Sequence, residues 1–170
     1  MTSEILNLGC GADYVEGVTN VDYFAKRVDV RHDLNSFPYP FRESQFDEIR
    51  CMNIIEHLDD VIRVMEELHR IGKPECKITM RVPHFRSACL YEDLTHKHGF
   101  AWRSFDIFVD SSTIYGEYSN SRFNYEHREY TPYKIRWLYR LLSRIPVLTD
   151  NLFSKYIPMA SILVILRVVK

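Results

Sequence analysis

The stretch from Ile5 to Phe24, ILNLGCGADYVEGVTNVDYF, combines residue types that can hold a ligand. An apolar run leads into Gly9-Cys10-Gly11, and a second short apolar run ends at Asp22. In an open α/β sheet the carboxyl ends of neighbouring strands form the edge where ligands bind. Glycine lets a ligand approach the backbone, and a carboxylate at the next strand end accepts hydrogen bonds from ribose hydroxyls. The spacing therefore predicts a nucleoside site at this edge.

The same stretch is a poor match to a dinucleotide site. The GxGxxG fingerprint requires glycine where this chain has Tyr14, and the sequence contains no GK[ST] phosphate loop. A nicotinamide oxidoreductase is therefore a minor alternative. A ligand with a ribose but no phosphate fits better, and S-adenosylmethionine is the common ligand of that kind.

Composition sets limits on the class of protein. The chain has 170 residues, of which 46% are apolar, and a formal net charge of −1. This describes one globular α/β domain and gives no basic face for a nucleic acid. The four widely spaced cysteines predict reduced thiols in a cytoplasmic protein. The longest apolar run, MASILVIL, is too short to span a membrane.

Apolar periodicity predicts an alternation of strands and helices. A helix is predicted over 58–71, since its apolar residues share one face and Gly72 and Pro74 end it. A second helix is predicted at PYKIRWLYRLLSRI. Strands are predicted at SEILNLG, VTNVD, VDVRHD, FDEIRCMN and CKITMRVPH, and later at RFNYEHREY and SILVILRVV. The order indicates a parallel α/β sheet with an added C-terminal pair of strands.

Taken together, these motifs resemble the class I S-adenosylmethionine-dependent methyltransferases, particularly the small single-domain type 11 group. ILNLGCG looks like the family's first motif, and FPYPFRESQFDEIRCMNIIEHL like its loop, fourth strand and Glu-His pair. VPHF followed by DLTHKHGF looks like the fifth strand end and the substrate-side loop, and MASILVILRV like the closing strand. The resemblance implies a Rossmann-like methyltransferase sheet, mostly parallel with an antiparallel C-terminal strand. It also implies S-adenosyl-L-methionine as the cofactor.

The resemblance assigns cofactor contacts to individual positions. Asp22 looks like the ribose acid, Asp33 and Leu34 like the adenine-contacting element, and Asn53 lies where the methionine end would bind. An Asx turn at Asp33 and a helix cap at Asn53 are the structural alternatives. The full predicted set is Asn7, Gly9, Cys10, Gly11, Asp22, Tyr23, Asp33, Leu34 and Asn53.

The chain departs from the family pattern in ways that predict a reduced fold. Asn7 stands where the glycine motif usually has an acid, and Asp13 replaces its third glycine. The segments between the first three strands are too short for full helices, so some helices are expected to be shortened or missing. We expect the C-terminal aromatic region or a second subunit, in a homodimer, to cover the sheet face left bare. Residues 1–170 are predicted to form one domain, with 1–84 holding the cofactor and 85–170 supplying the substrate side.

Two histidines are candidate catalytic residues. His84 follows a strand at the functional edge and His96 lies in the next loop, and either could position an acceptor or remove its proton. A capped strand end and an exposed loop histidine are the alternatives. His57, beside Glu56, is interpreted as support for the helix start. The HKH triplet lacks a third ligand at a telling spacing, so no metal site is predicted.

The acceptor itself is not specified by the sequence. Aromatic residues in the second half suggest an apolar or ring-stacking pocket, although such residues are also ordinary core: Tyr91, Phe100, Trp102, Phe105, Tyr115 and Tyr118. The helix carrying Lys134, Arg136, Arg140 and Arg144 could meet an anionic surface, but a core-facing helix with solvated basic residues is favoured.

The resulting hypothesis is a cytoplasmic methyltransferase acting on a small, sugar-linked or lipid-linked acceptor. The alternative is a cofactor-binding or partner-binding domain without transfer activity.

Overall fold

A computed structural model describes residues 3–109, 118–131, 136–157 and 159–170. Within them, seven strands form one sheet in the order β3-β2-β1-β4-β5-β7-β6. β1 to β5 are mutually parallel, and β7 runs antiparallel to both β5 and β6. The predicted Rossmann-like sheet is confirmed. The strands are β1 Ile5–Leu8, β2 Thr19–Asp22, β3 Val30–Arg31, β4 Phe46–Met52, β5 Gly72–Pro83, β6 Arg122–Thr131 and β7 Ser161–Val169.

The helices are short apart from α1, Val61–Ile71. This helix begins later than predicted because the Asp60 side chain caps it, accepting a hydrogen bond from the Arg63 N–H at 3.0 Å. It ends at Gly72, where β5 starts at once. The others are α2 Cys89–Glu92, α3 Arg136–Leu142 and α4 Pro146–Asn151, with 3₁₀ turns at Ile55–His57, Asp106–Phe108 and Phe153–Lys155.

The segments joining β1, β2, β3 and β4, all of them described, contain no helix. A polar network centred on Asn20 holds the first crossover instead. Asn20 is fully buried, and its Oδ1 accepts from Asn7 Nδ2 at 3.0 Å and from the Val15 N–H at 2.9 Å. Its Nδ2 donates to Asp29 Oδ2 at 2.8 Å. One side chain therefore ties β1, the glycine-rich loop, β2 and the approach to β3 together.

Among the described residues, α1 and the buried side chains of the strands pack together on one face of the sheet. Along β4, β5 and β7, buried residues such as Ile49, Met80 and Val164 alternate with half-buried ones. The buried set packs with Val64, Met65, Leu68 and Ile71 of α1 into the core. The opposite face carries Glu48, Arg50, Lys77, Thr79, Arg81 and Arg167, with the apolar Leu163 and Ile165 on β7.

This arrangement corrects one expectation. The aromatic residues of the described C-terminal half do not cover the bare face, because they pack on the same face as α1. Phe123 of β6 contacts both His69 of α1, at 5.5 Å between ring centroids, and Phe108, at 6.1 Å. Trp102 packs on Tyr130 in the same layer, at 4.8 Å. The other face instead carries charge, including an ion pair of 2.8 Å between Arg50 and Glu48, so its exposure costs little apolar area.

The basic helix matches the favoured interpretation in part. In α3, Tyr139 and Leu142 are buried while Arg140 and the following Arg144 are exposed, but Trp137 is also 71% exposed. Lys134 and the side chain of Arg136 lie outside the described residues. No helix in the described part of the chain combines the length and apolar character needed to cross a bilayer.

We predict that Asn20→Ala lowers the free energy of unfolding by about 2–4 kcal/mol, because it leaves the buried Asn7 side chain and the part-buried Val15 N–H without their acceptor. Urea denaturation followed by circular dichroism measures this loss. The matched control is Asn124→Ala at an exposed position of β6, which should change stability by less than about 0.5 kcal/mol. Equal effects of the two substitutions would contradict a structural role for the Asn20 network.

Candidate active site

A cavity of about 730 Å³ lies at the carboxyl ends of β1, β2 and β4. Seven of the nine predicted cofactor residues line it, namely Gly9, Gly11, Asp22, Tyr23, Asp33, Leu34 and Asn53. The other lining residues were not predicted as cofactor contacts: Phe24, Asn35, Ile54, His57, Leu58, Leu94, Thr95 and Lys97.

Asp22 is held rigidly at the end of β2. Its Oδ2 accepts a hydrogen bond from the Gly11 N–H at 2.9 Å, and its Oδ1 accepts from Phe24 and Ala25 at 2.7 and 2.8 Å. Partial burial opposes the charged form, but these three backbone donors outweigh it and lower the pKa of Asp22. The site therefore presents a fixed negative charge at the place expected for a ribose.

The two glycines of the motif serve different purposes. A Cβ added to Gly9, whose φ is +69°, would lie 2.3 Å from Cγ1 of Ile54. Gly9 therefore makes room for Ile54, which packs across the start of the loop, as well as lining the cavity. At Gly11, with φ +51°, no atom lies within 4 Å of an added Cβ. The open space at Gly11 is what a ligand approaching the backbone requires.

Asn7 and Cys10 do not line either cavity described here, although both were predicted as cofactor contacts. The side chain of Asn7 donates to Asn20 and to the Asp13 carbonyl oxygen at 2.9 Å, so it holds the loop in shape. Cys10 is buried, and that burial raises the pKa of its thiol. Asn7, at the motif position that usually carries an acid, therefore stabilises the loop by hydrogen bonds instead of lining the cavity.

Asp33 and Leu34 lie side by side at the cavity. Asp33 is exposed, and its Oδ1 accepts from the Asn35 N–H at 2.9 Å, which is the Asx turn foreseen as the alternative. Leu34 is buried, and its carbonyl oxygen accepts from the Tyr39 hydroxyl at 3.0 Å. A capped turn of this kind leaves the second carboxylate oxygen of Asp33 available to a ligand.

Exposed apolar side chains stand on two sides of the cavity. Phe24, after β2, is 88% exposed, and Leu94, in the loop after α2, is 97% exposed. Tyr23 packs edge-on against Phe24 with ring centroids 4.8 Å apart. Sequence patterns could not identify Leu94, because only the folded loop brings it opposite Phe24.

A second cavity of about 620 Å³ adjoins the first, and Asn53 and His57 line both. Asn53 directly follows β4 and has a left-handed backbone conformation with φ +55°, which asparagine tolerates better than most residues. Its Oδ1 accepts from Arg81 Nε at 3.1 Å. The remaining lining is mostly polar: Glu56, Arg81, Pro83, Cys89, Glu92, Asp93, His96, Thr131, Ala160 and Ser161.

Glu56, His57 and His96 form a cluster in the second cavity. His57 Nδ1 lies 2.9 Å from Thr95 Oγ1, and its ring centroid is 4.6 Å from that of His96. Burial raises the pKa of Glu56, whereas burial and the neighbouring His96 lower the pKa of His57. His96, a predicted catalytic residue, thus faces the cavity, and so does His57, which had been assigned only a supporting role.

His84 does not reach either cavity, and its geometry argues against the predicted catalytic role. It is fully buried, with Nε2 3.1 Å from Asp150 Oδ1 and Nδ1 accepting from the Arg86 N–H at 3.1 Å. Asp150 also accepts from the Tyr130 hydroxyl at 2.6 Å and the Trp102 N–H at 2.9 Å. His84 is therefore part of a buried hydrogen-bond network that joins the end of β5 to α4.

The described aromatic residues that were considered for an acceptor pocket line neither cavity. Phe100, Trp102 and Phe105 are buried in the core, and Tyr91 and Tyr118 are 74% and 63% exposed without lining either cavity. Tyr115 lies outside the described residues. The polar groups that line the second cavity are carboxylates, imidazoles, a guanidinium and hydroxyls.

We predict that Gly9→Ala destabilises the protein more than Gly17→Ala does. Both glycines have positive φ, but an added Cβ at Gly17 meets no atom within 4 Å. The Gly17 substitution should cost about 1–2 kcal/mol from its backbone conformation alone, and the clash with Ile54 should add to that cost at Gly9. Thermal unfolding of both variants, and of Gly9→Ala combined with Ile54→Ala, measures the difference. Failure of the double variant to recover any of it would contradict the assigned clash.

We predict that Asp150→Asn destabilises the protein by about 2–3 kcal/mol at neutral pH, because the amide cannot accept all three hydrogen bonds. Burial opposes the charged form of Asp150, but the hydrogen bonds lower its pKa in the folded protein. The stabilisation by this carboxylate is therefore present above the ordinary aspartate pKa and is lost as the pH falls through the lowered value. Urea unfolding at neutral and acidic pH should show the gap between variant and parent closing in acid. A gap that stays constant would contradict the assignment, and Asp13→Asn, at an exposed loop position, serves as control.

The family profile described as "Methyltransferase domain" matches residues 6–80. These residues run from β1 into β5 and include the whole predicted cofactor set. No curated protein sequence matches the chain.

Solved structures share the fold over nearly the whole chain. The YcgJ protein of Bacillus subtilis matches with a TM-score of 0.65 at 13% identity, covering 99% of this chain and 92% of its own. An S-adenosylmethionine-dependent methyltransferase of Mesorhizobium loti matches with a TM-score of 0.63 at 15% identity, with 97% and 90% covered. Another, from Archaeoglobus fulgidus, matches with a TM-score of 0.57 at 16% identity, with 97% and 86% covered. A methyltransferase-domain profile thus matches residues 6–80, and over nearly its whole length the chain shares the fold of solved S-adenosylmethionine-dependent methyltransferases.

Proposed function

We propose that the protein transfers the methyl group of S-adenosylmethionine to a small polar acceptor bound in the second cavity. The observation that carries this proposal is the shared wall of the two cavities, where Asn53 and His57 line both. A cofactor in the first cavity and an acceptor in the second would meet at those two residues. Methyl transfer requires chiefly such an alignment of donor and acceptor, because the cofactor supplies the reactive sulfonium methyl group.

On the cofactor side, we assign ribose binding to Asp22, whose three backbone hydrogen bonds fix its orientation. Asp33 and Leu34 would hold the adenine by one hydrogen bond and by apolar packing. The backbone at Gly11 and the amide of Asn53 would receive the methionine end. The bound cofactor would cover the exposed side chains of Phe24 and Leu94, which would explain why they are exposed in its absence.

On the acceptor side, the polar lining favours a small hydroxyl-bearing or amine-bearing molecule, including a sugar-linked one, over an acyl chain. His96 is the candidate for accepting a proton from the acceptor, with Glu56 behind it at 3.9 Å between Oε1 and Nε2. Residues before position 84 and after it both line this cavity. The division into a cofactor half, 1–84, and a substrate half, 85–170, therefore stays a prediction, because both halves contribute to this cavity.

The alternative of a binding domain without transfer activity differs in one measurable property, because it would bind the cofactor without producing S-adenosylhomocysteine. A cytoplasmic location is supported by the four cysteines, which are all reduced thiols and of which three are buried. A homodimer stays a prediction.

We expect S-adenosylmethionine and S-adenosylhomocysteine to bind the purified protein, and Asp22→Ala to weaken both by about tenfold or more through loss of charge-assisted hydrogen bonds. Isothermal titration calorimetry measures the affinities. Production of S-adenosylhomocysteine in the presence of small hydroxyl or amine acceptors then tests transfer.

The matched control is Asp13→Ala, an exposed carboxylate on the same loop that lines neither cavity. It should leave both affinities within about twofold of the parent. Absence of binding by demonstrably folded protein would overturn the proposed cofactor site. Binding with equal affinity in Asp22→Ala would overturn the role of that residue.

A further inference from the structure

The cluster of Glu56, His57 and His96 presents one carboxylate and two imidazoles to a single point. A ligand atom from each of the three residues lies within 4.8 Å of the other two. Glu56 and His57 follow β4, whereas His96 comes from the loop after α2, so the fold assembles the set. The sequence predicted no metal site because HKH alone offered no third ligand.

Two buried atoms of this cluster have no hydrogen-bond partner among the described residues, Oε2 of Glu56 and Nδ1 of His96. Glu56 is only 1% exposed, so its Oε2 is enclosed by protein without a hydrogen-bond donor among the described residues. Arg81 lines the same cavity and its positive charge acts on Glu56, but its Nε donates to Asn53 and no hydrogen bond joins its guanidinium to that oxygen. Unsatisfied buried polar atoms are rare in native proteins, and an ion is one of the explanations they call for.

The spacing of the donors fits a cation between them. Nε2 of His96 lies 3.9 Å from Oε1 of Glu56, which is too long for a hydrogen bond. Two ligands of one tetrahedral Zn²⁺ ion, each at about 2.1 Å, lie about 3.4 Å apart, and wider angles increase that separation. Small movements of these side chains would therefore bring the donor atoms to the distances that a bound ion requires.

The backbone holds the loop residue against the carboxylate. The carbonyl oxygen of Glu56 accepts from the Lys97 N–H at 2.8 Å and from the His98 N–H at 3.3 Å. His98 Nε2 is in addition 2.9 Å from the Leu58 carbonyl oxygen. The hydroxyl of Thr95, 2.9 Å from His57 Nδ1, orients that ring and leaves its Nε2 available as a ligand. Thr95, Lys97 and His98 thus fix the geometry of the cluster from outside it.

We propose that Glu56, His57 and His96 form a binding site for a divalent transition-metal cation at the wall between the two cavities. One carboxylate and two imidazoles suit Zn²⁺ or Mn²⁺ better than Mg²⁺, which prefers an all-oxygen shell. Three protein ligands leave coordination positions open toward the second cavity, as catalytic metal sites require.

A role for the cation follows; it rests on the proposed function and replaces proton acceptance by His96, whose imidazole would be a metal ligand. A cation at this wall would bind the acceptor through a hydroxyl oxygen and lower the pKa of that hydroxyl, so that its proton passes to solvent water in the open cavity. The oxygen would then form its bond to the methyl carbon as the bond from that carbon to the sulfonium sulfur breaks, which leaves S-adenosylhomocysteine. The acceptor class would then be a hydroxyl compound, and an amine would gain little.

Metal binding is tested without cofactor or acceptor. After treatment with EDTA and desalting, the full chain is titrated with ZnCl₂ and separately with MnCl₂ by calorimetry, and Mn²⁺ binding is checked by electron paramagnetic resonance. We expect saturable binding of one ion per chain and a rise in melting temperature. Glu56→Gln and His96→Asn should each weaken binding about tenfold or more. Circular dichroism of both variants without metal verifies their fold.

Two control variants should bind metal like the parent. His127→Asn removes a histidine from the His127–Glu129 pair, 3.5 Å apart on β6 and away from the cavities. Asp22→Ala disables the proposed cofactor site, so its unchanged metal affinity separates this proposal from the cofactor assignment. No saturable binding of either ion, or equal binding by folded Glu56→Gln, would overturn the site.

Discussion

The arrangement at the cofactor edge depends on one buried side chain, Asn20. In a parallel sheet a crossover normally uses a helix, which both spans the distance and covers the strands. Here Asn20 satisfies the backbone of the glycine-rich loop and links it to β1 and to the residues before β3. The loop is therefore rigid without a helix behind it, and Gly11 can hold Asp22 in a fixed orientation. Local hydrogen bonds replace the packing that a longer chain would supply.

The second organising feature is the end of β4. Asn53 turns the chain out of the strand in a left-handed conformation, and the next few residues supply Ile54 against Gly9, Glu56 to one cavity and His57 to both. The loop after α2 then returns to this turn through the carbonyl oxygen of Glu56. The two cavities thus share a wall built by a few consecutive residues, which explains how a small fold keeps them next to each other.

The sequence predicted the sheet, and it predicted that Gly11 and Asp22 would lie together at one edge of it, because both depend on local signals. Apolar runs ended at the strand ends, and Gly11 and Asp22 lie where the motif indicated. Predictions failed where a residue's environment depends on distant segments. His84 follows a strand at the right edge, but Asp150, far along the chain, holds it in the core. Phe100, Trp102 and Phe105 became core for the same reason.

The charged face of β4 and β5 was visible in DEIR and KITMR, where polar residues alternate with apolar ones, and this alternation indicates a strand exposed on one side.

The missing helix after β1 also bears on selectivity. In nucleotide-binding folds the partial positive charge at the start of that helix attracts a phosphate group. In this protein the residues that follow Gly11 lead through turns to β2, and no helix begins among them. The glycine-rich loop and the carboxylate of Asp22 therefore suit a nucleoside. No helix N-terminus is present there to stabilise the negative charge of a phosphate. Dinucleotides would meet a negative charge without the positive pole that usually balances it, whereas a sulfonium nucleoside brings no phosphate to be balanced. The absence of a helix between β1 and β2 thus removes the feature that favours phosphate-bearing nucleotides in related folds.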